Sequence, residues 1–263
     1  MKKKDLDENL LRQLYIDKKL TAYEIAEVLQ VNRTTVVRYL KKYNIDINPK
    51  QRKYEIIKKI AFTQEQRDFL IGTLLGDGCV HQKGKSYYLY ISHCEKQKDL
   101  VLWKKAILGN LVNVVNKIID KRGNSIMYSF ATVVHNNFNF FYKLFYENNK
   151  KVIKENLINY LTPLSLAVWI MDDGSLNKNV NLRFHTEGFS ETEQKILQNI
   201  LKIKFDIKSK ICKFNRNNKE YYYLSLNKEN TVKISKLVEK YFVQCMKYKL
   251  YTDSSTTACQ TSV

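Results

Sequence analysis

Two aspartates, Asp77 and Asp173, occupy positions that ordinary helix design avoids. Each closes an apolar run that reads as a helix. The runs are Phe69-Leu70-Ile71-Gly72-Thr73-Leu74-Leu75-Gly76-Asp77-Gly78 and Leu166-Ala167-Val168-Trp169-Ile170-Met171-Asp172-Asp173-Gly174. The carbonyl end of a helix carries partial negative charge, so a carboxylate there is disfavoured by roughly 0.3–1 kcal/mol. A divalent cation reverses that sign. Two apolar helices that both end in Asp therefore point to metal ligation, against the plainer reading of two carboxylates exposed to water. Bound divalent cations activate water near neutral pH and stabilise charge on a phosphate and its leaving oxygen, which is what phosphodiester hydrolysis requires.

The elements around the two aspartates form a repeat. Thr63 and Gln66 have capping-box spacing ahead of the first run, and Thr162 caps the second with Pro163 at the first helical position. Gly78 and Gly174 suit a left-handed residue that ends a helix. Asp77 and Asp173 lie 96 residues apart, about one unit of two hairpins separated by a helix. The segments that follow alternate as half-buried strands do. Tyr88, Tyr90 and Ser92 alternate with Leu89 and Ile91, Asn181, Arg183 and His185 with Leu182 and Phe184, and Tyr221, Tyr223 and Ser225 with Tyr222, Leu224 and Leu226. One face is expected on helices and the other free to meet a polyanion, with Lys83, Lys85, Lys117, Lys121, Arg122, Lys208, Lys210, Lys213 and Arg216 adding charge around the strands. A merely solvated face is the alternative for any single residue.

Composition narrows the partner. The 263 residues carry 45 Lys and Arg against 26 Asp and Glu, a net charge of +19. Both the first 59 residues and the remainder are basic, so the charge is spread along the chain and not gathered on one amphipathic helix. Nucleic acid is the expected partner, and a membrane is not. With no run of about 18 apolar residues and no apolar segment after Met1-Lys2-Lys3-Lys4, the chain is expected in the cytoplasm, associated with the nucleoid through DNA, or in an organelle, and not secreted. Cys79, Cys94, Cys212, Cys245 and Cys259 are scattered and read as reduced thiols, and His81, His93, His135 and His185 lack zinc-ligand spacing.

Ahead of the repeat, Leu10 to Asn44 reads as three short helices, the middle one opened by Thr21 and Glu24 in capping-box spacing. Ile25, Ala26, Leu29, Val31, Val36 and Leu40 supply a miniature core, and the pattern resembles a helix-turn-helix. Its second helix begins after Asn32 and places Arg33, Thr34, Thr35 and Arg38 where such helices reach base edges, with Lys41 and Lys42 nearer phosphates. Gln30 stands where this motif often has Gly. An ordinary helical hairpin with solvated charges is the alternative. Asn48-Pro49-Lys50-Gln51-Arg52-Lys53 reads as a basic linker.

Taken together, the two Asp-Gly segments resemble the paired motifs of the LAGLIDADG homing endonucleases, in the single-chain, two-motif branch. The similarity covers about residues 63 to 252. The first copy keeps the Leu, inner Gly, Asp and final Gly of the family pattern, and the second keeps Leu-Ala, Ile, Asp and Gly. Leu161-Thr162-Pro163, Thr186-Glu187-Gly188-Phe189-Ser190 and Met246-Lys247-Tyr248-Lys249-Leu250 are also typical of the branch. Val168 departs from the pattern where Gly72 keeps the small residue, so helix approach there is expected to be asymmetric. The resemblance implies an α+β fold: two pseudo-symmetric αββαββα halves forming a DNA-binding β-saddle, preceded by a small all-α domain. The expected divisions are 1–58 for the helix-turn-helix and linker, 59–155 and 156–252 for the halves, and 253–263 for a polar tail.

It further implies a monomeric, site-specific endonuclease that cuts both strands of a DNA target with Mg²⁺ or Mn²⁺. Asp77 and Asp173 are the implied catalytic metal ligands, with Gly76 and Asp172 beside them. Family members carry a basic residue beyond the last helix of each half, and Lys151 and Lys249 match, at 74 and 76 residues from their aspartates. A DNA-binding regulator that does not cut, or an intron RNA maturase on the same fold, is the competing reading.

Overall fold

The computed structural model describes residues 5–46, 57, 60–120, 125–178 and 180–252. The expected linker, Lys121, Arg122 and the tail from 253 lie outside those residues. The chain separates into two compact units, Met1–Ile60 and Ala61–Val263. Among the described residues no helix is long and apolar enough to cross a membrane.

In the first unit, helix α1 (Glu8–Arg12) starts where the Leu10 N–H donates to Asp7 at 2.8 Å, and it continues as one π-helical turn, Gln13–Asp17. Helix α2 (Ala22–Leu29) opens on the expected box: the Thr21 N–H donates to Glu24 Oε2 at 2.7 Å, and the Glu24 N–H to Thr21 Oγ1 at 3.3 Å. Helix α3 (Arg33–Lys42) follows a short turn, with Asn32 at its N-cap but making no side-chain capping bond. Gln30 is left-handed, at φ +51° and ψ +49°, a conformation that costs a non-glycine residue roughly 1 kcal/mol. The turn recovers hydrogen bonds, since the Val31 N–H returns to Ala26 O at 2.9 Å. Ile25, Val36 and Leu40 are fully buried, whereas Leu29 and Val31 only flank the core. Leu11, Tyr15 and Tyr39 complete it.

The second unit is a repeat in three dimensions. Helix α4 (Gln64–Leu75) leads into β1 (Cys79–Lys83), β2 (Ser86–Cys94), helix α5 (Lys98–Leu108), β3 (Asn116–Asp120), β4 (Ser125–Ala131) and helix α6 (Phe138–Phe145). A two-residue hairpin, β5 (Tyr146–Glu147) and β6 (Lys150–Lys151), closes the first half. The second half runs α7 (Pro163–Asp173), β7 (Gly174–Asn177), β8 (Asn181–Phe184), α8 (Glu191–Phe205), β9 (Lys210–Arg216), β10 (Lys219–Ser225) and α9 (Lys228–Val238). The antiparallel sheets are ordered β1-β2-β4-β3 and β7-β8-β10-β9, the same topology twice. Leu89, Ile91 and Phe130 in one sheet and Leu182, Phe184 and Leu224 in the other are buried toward the helices. This is the alternation that the sequence predicts.

Helices α4 and α7 form the centre. Phe69–Leu75 and Leu164–Asp172 are buried throughout, as expected of helices that are apolar on every face. They meet at glycine. A Cβ on Gly72 would lie 2.2 Å from Ser165 O and 2.6 Å from Val168 Cβ, and one on Gly76 would lie 2.4 Å from Asp172 Cβ. Gly72 and Val168 are equivalent positions of the repeat, as are Gly76 and Asp172. At each level the glycine of one helix accommodates the larger side chain of its counterpart, so the asymmetry expected at Val168 is real and recurs one turn later.

Candidate active site

The two aspartates end their helices differently. Helix α4 stops at Leu75, the Gly76 N–H returning to Gly72 O at 3.2 Å, so Asp77 lies in the turn beyond it; α7 continues through Asp173. The expected left-handed glycines are absent: among described glycines only Gly84 and Gly109 have positive φ, and Gly174 is extended at φ −82°, ψ +148°. What these positions require is space. A Cβ on Gly78 would lie 2.8 Å from Thr73 O, and one on Gly174 2.6 Å from Ile170 O, so each chain turns off its helix hard against the last carbonyls.

Carbonyls at the same two helix ends receive the two lysines. Lys151 Nζ donates to Gly76 O at 3.0 Å and Gly78 O at 2.9 Å, and Lys249 Nζ donates to Met171 O at 2.6 Å and Asp172 O at 3.0 Å. Each ammonium thus sits at the negative end of the motif helix of its own half. Unlike local structures bring them there. Lys151 ends the β5–β6 hairpin, whose turn residues Asn148 and Asn149 both have positive φ, as a tight hairpin of this type demands. The hairpin is held by Tyr146, which stacks on Tyr142 with ring centres 5.0 Å apart and accepts the Val80 N–H at 3.0 Å. Lys249 ends a 3₁₀ segment, Gln244–Lys249, anchored by buried Met246 and Leu250.

The cluster is electrostatically crowded. Burial, and then the charges of Asp77 and Asp172, push the Asp173 carboxyl up to about 8. Asp77, although its side chain is 43% exposed, is also raised, by desolvation and by Asp172. Burial lowers both Lys151 and Lys249, while the carboxylates oppose that shift.

Asp172 has partners already. Its Oδ1 lies 2.5 Å from Lys104 Nζ and its Oδ2 accepts from Thr73 Oγ1 at 3.1 Å, all within the interior. Lys104 Nζ also donates to Thr73 Oγ1 at 3.1 Å and meets His93 Nε2 at 3.0 Å. His93 Nδ1 lies 3.5 Å from Asp77 Oδ2. Burial and the Lys104 ammonium push His93 down to about 4. Ligand atoms of Asp77, His93 and Asp172 lie within 4.8 Å of one another, but the Lys104 ammonium already contacts two of the three. Sequence reasoning missed this group, although signals existed. Lys104 sits in register with Leu100 and Leu108 on the buried stripe of α5, and His93 continues the inward series Leu89, Ile91.

On the sheets, Tyr88 and Tyr90 point away from the core beside Lys83, and Lys85 is exposed in the β1–β2 turn. Asn181, Arg183 and His185 do the same in the second half. There, strand register puts Lys210, Arg216, Tyr221 and Tyr223 on one face, with Lys208 exposed just before β9. Lys117 and Lys213 lie on the opposite face, because they pair with Tyr128 and Tyr222, and Lys213 is ion-paired with Glu220. Arg183 stacks over the Tyr223 ring at 3.7 Å and donates to Glu187 at 2.5 Å. His185 is fixed between Ser175 Oγ at 2.7 Å and Glu187 Oε1 at 3.3 Å. In the first unit Arg33, Thr34 and Arg38 are exposed and Thr35 is half-buried.

Comparison with known proteins follows the same lines. The chain is 33% identical over 234 residues to the probable intron-encoded endonuclease 1 of Wickerhamomyces canadensis, covering 80% of this chain and 95% of that protein. It is 33% identical over 197 residues to the cytochrome b mRNA maturase bI2 of Saccharomyces cerevisiae, covering 69% of this chain and 46% of that protein. The homing endonuclease I-WcaI, solved bound to its DNA recognition sequence, superposes with a TM-score of 0.67 at 30% identity, covering 78% of this chain and 93% of that one. Residues 67–234, which span both motif helices and both sheets, match the model of the LAGLIDADG DNA endonuclease family, and the chain belongs to that family.

Proposed function

We propose that the chain is a monomeric, site-specific endonuclease that hydrolyses one phosphodiester bond in each strand of a DNA target with Mg²⁺ or Mn²⁺. The observation that carries this reading is the convergence of Asp77 and Asp173 at the ends of two packed helices, each end bearing a lysine head group. The donor set fits a hard divalent cation. Two crowded carboxylates and the adjoining Gly76 and Asp172 carbonyls are all oxygens, and the crowding that raises both carboxyls is what a bound cation relieves. The Asp172 side chain is committed to Lys104, so its carbonyl is the atom assigned a ligand role. When bound, the cation supplies a more acidic water and offsets charge on the scissile phosphate.

The chain's own residues do the remainder. Asp77 and Asp173 hold the ligand positions, one per strand. Lys151 and Lys249 are poised to leave their carbonyls for a phosphate oxygen and stabilise charge that develops there. The free sheet faces, with Tyr88, Tyr90, Asn181, His185, Lys210, Arg216 and Tyr221, read and grip the duplex. The small helical unit adds a second contact through Arg33, Thr34, Thr35 and Arg38. The similar I-WcaI is a DNA complex, which supports the assignment of this face.

The test uses the purified full chain and a plasmid carrying the uninterrupted form of the gene's own insertion locus. A staggered double-strand break that needs Mg²⁺ or Mn²⁺ and disappears with chelator is expected. Tight binding without any cut would replace the endonuclease with a regulator. The similarity to a maturase supports a second activity on intron RNA, which a binding measurement with the host intron transcript reads directly.

A further inference from the structure

We propose that Lys104, Asp172, Thr73 and His93 form a positioning network serving only the Asp77 side, so that the two DNA strands are cut by unlike sites. The inference rests on the endonuclease reading above. An ammonium has three donors and no acceptor, and Lys104 uses them on Asp172 Oδ1, Thr73 Oγ1 and His93 Nε2. Because Nε2 must accept, the ring proton of His93 resides on Nδ1. That nitrogen lies 3.2 Å from Gln97 Oε1 and 3.5 Å from Asp77 Oδ2. Gln97 takes the Nδ1 proton, so the network runs from α5 through the motif helices to β2 and holds the edge of the His93 ring against one of the two ligand carboxylates.

The other half is an internal control. In the motif helices Thr73 corresponds to Trp169, and Asp172 to Gly76. The strand pairs Cys79–Tyr90 and Ser175–Arg183 align His93 with Thr186, and the helix caps Gln97 and Ser190 align Lys104 with Leu197. Trp169 and Leu197 are fully buried, and Thr186 donates to Gln194 at 2.8 Å. The same place in the fold is thus filled without a charge. Burying an ion pair carries a desolvation penalty that apolar residues of similar volume avoid. Stability therefore gives no reason to keep Lys104 and Asp172, whereas holding Asp77 does.

The experiment follows both strands of the target in one reaction, each end-labelled with its own dye, using the full chain in Mg²⁺. His93→Thr installs the residue of the other half and leaves the two ligand aspartates in place. One strand should slow by about fivefold, the expected effect of losing a positioning contact worth about 1 kcal/mol, while the other changes less than about twofold. The combined variant Lys104→Met with Asp172→Asn, which leaves no unpaired charge and keeps the bulk that fills the space opposite Gly76, should slow the same strand. His93→Gln keeps one acceptor and one donor and should restore most of the ratio. DNA affinity in Ca²⁺ and the thermal midpoint separate this result from general damage. Equal slowing of both strands, or no slowing in folded His93→Thr, would overturn the proposal. A wild-type chain that cuts neither strand would overturn the endonuclease reading and this inference together.

Discussion

At the scale of single residues, the assignments make different demands on binding and cutting. Asp77→Asn and Asp173→Asn keep shape while removing a charged ligand, so cleavage in Mg²⁺ should collapse. Affinity for target DNA, measured in Ca²⁺, should stay within a few-fold, because phosphate contacts supply most of it. A variant that cuts at the wild-type rate would remove that Asp from the mechanism. Lys151→Met and Lys249→Met each delete a preorganised cation and should slow cutting by about 100-fold; an unchanged single-turnover rate would assign the lysine to helix capping alone. The aspartates and lysines were legible because each pair recurs at matching spacing within a repeat. His93, Lys104 and Thr73 were not, because their significance lies in one buried contact set that joins β2, α5 and the two motif helices. Nor could sequence reveal that the Asp172 side chain faces Lys104 while its carbonyl faces Lys249.

At the scale of elements, the decisive contact is the crossing of α4 and α7. Gly76→Ala places a Cβ 2.4 Å from that of Asp172, and Gly72→Ala places one 2.2 Å from Ser165 O. Each should destabilise the second unit by about 1–3 kcal/mol, the usual cost of overpacking, and pull the aspartates out of register, so cleavage should fall further than the thermal midpoint alone explains. Unchanged melting and cutting would mean that the helices separate more easily than their packing indicates. The capped starts at Thr63 and Thr162 and the strand alternation were readable because they are local. The ends of the motif helices were not, since the need for Gly78 and Gly174 comes from carbonyls one turn back and not from handedness. Charge alone groups Lys117 and Lys213 with the polyanion-facing set, because it does not reveal which side of a sheet a residue takes; pairing register does.

At the scale of the whole molecule, both motifs on one chain predict a single species of about 31 kDa in sedimentation; a dimer required for cutting would contradict it. Removing residues 1–60, the first compact unit, should leave a folded enzyme with weaker DNA binding and a shallower salt dependence, by about 0.9 in the log–log slope for each phosphate that the shortened chain no longer neutralises. Loss of cooperative unfolding in the remainder would show that the units depend on each other. The meeting of unlike residues across the central crossing also decides which halves can pair. Two copies of the first half would set Gly72 against Gly72 and Gly76 against Gly76, leaving a gap at both levels. Two copies of the second would drive valine into valine and one aspartate into another. Neither half can therefore close the crossing with a second copy of itself, and each fits only its counterpart.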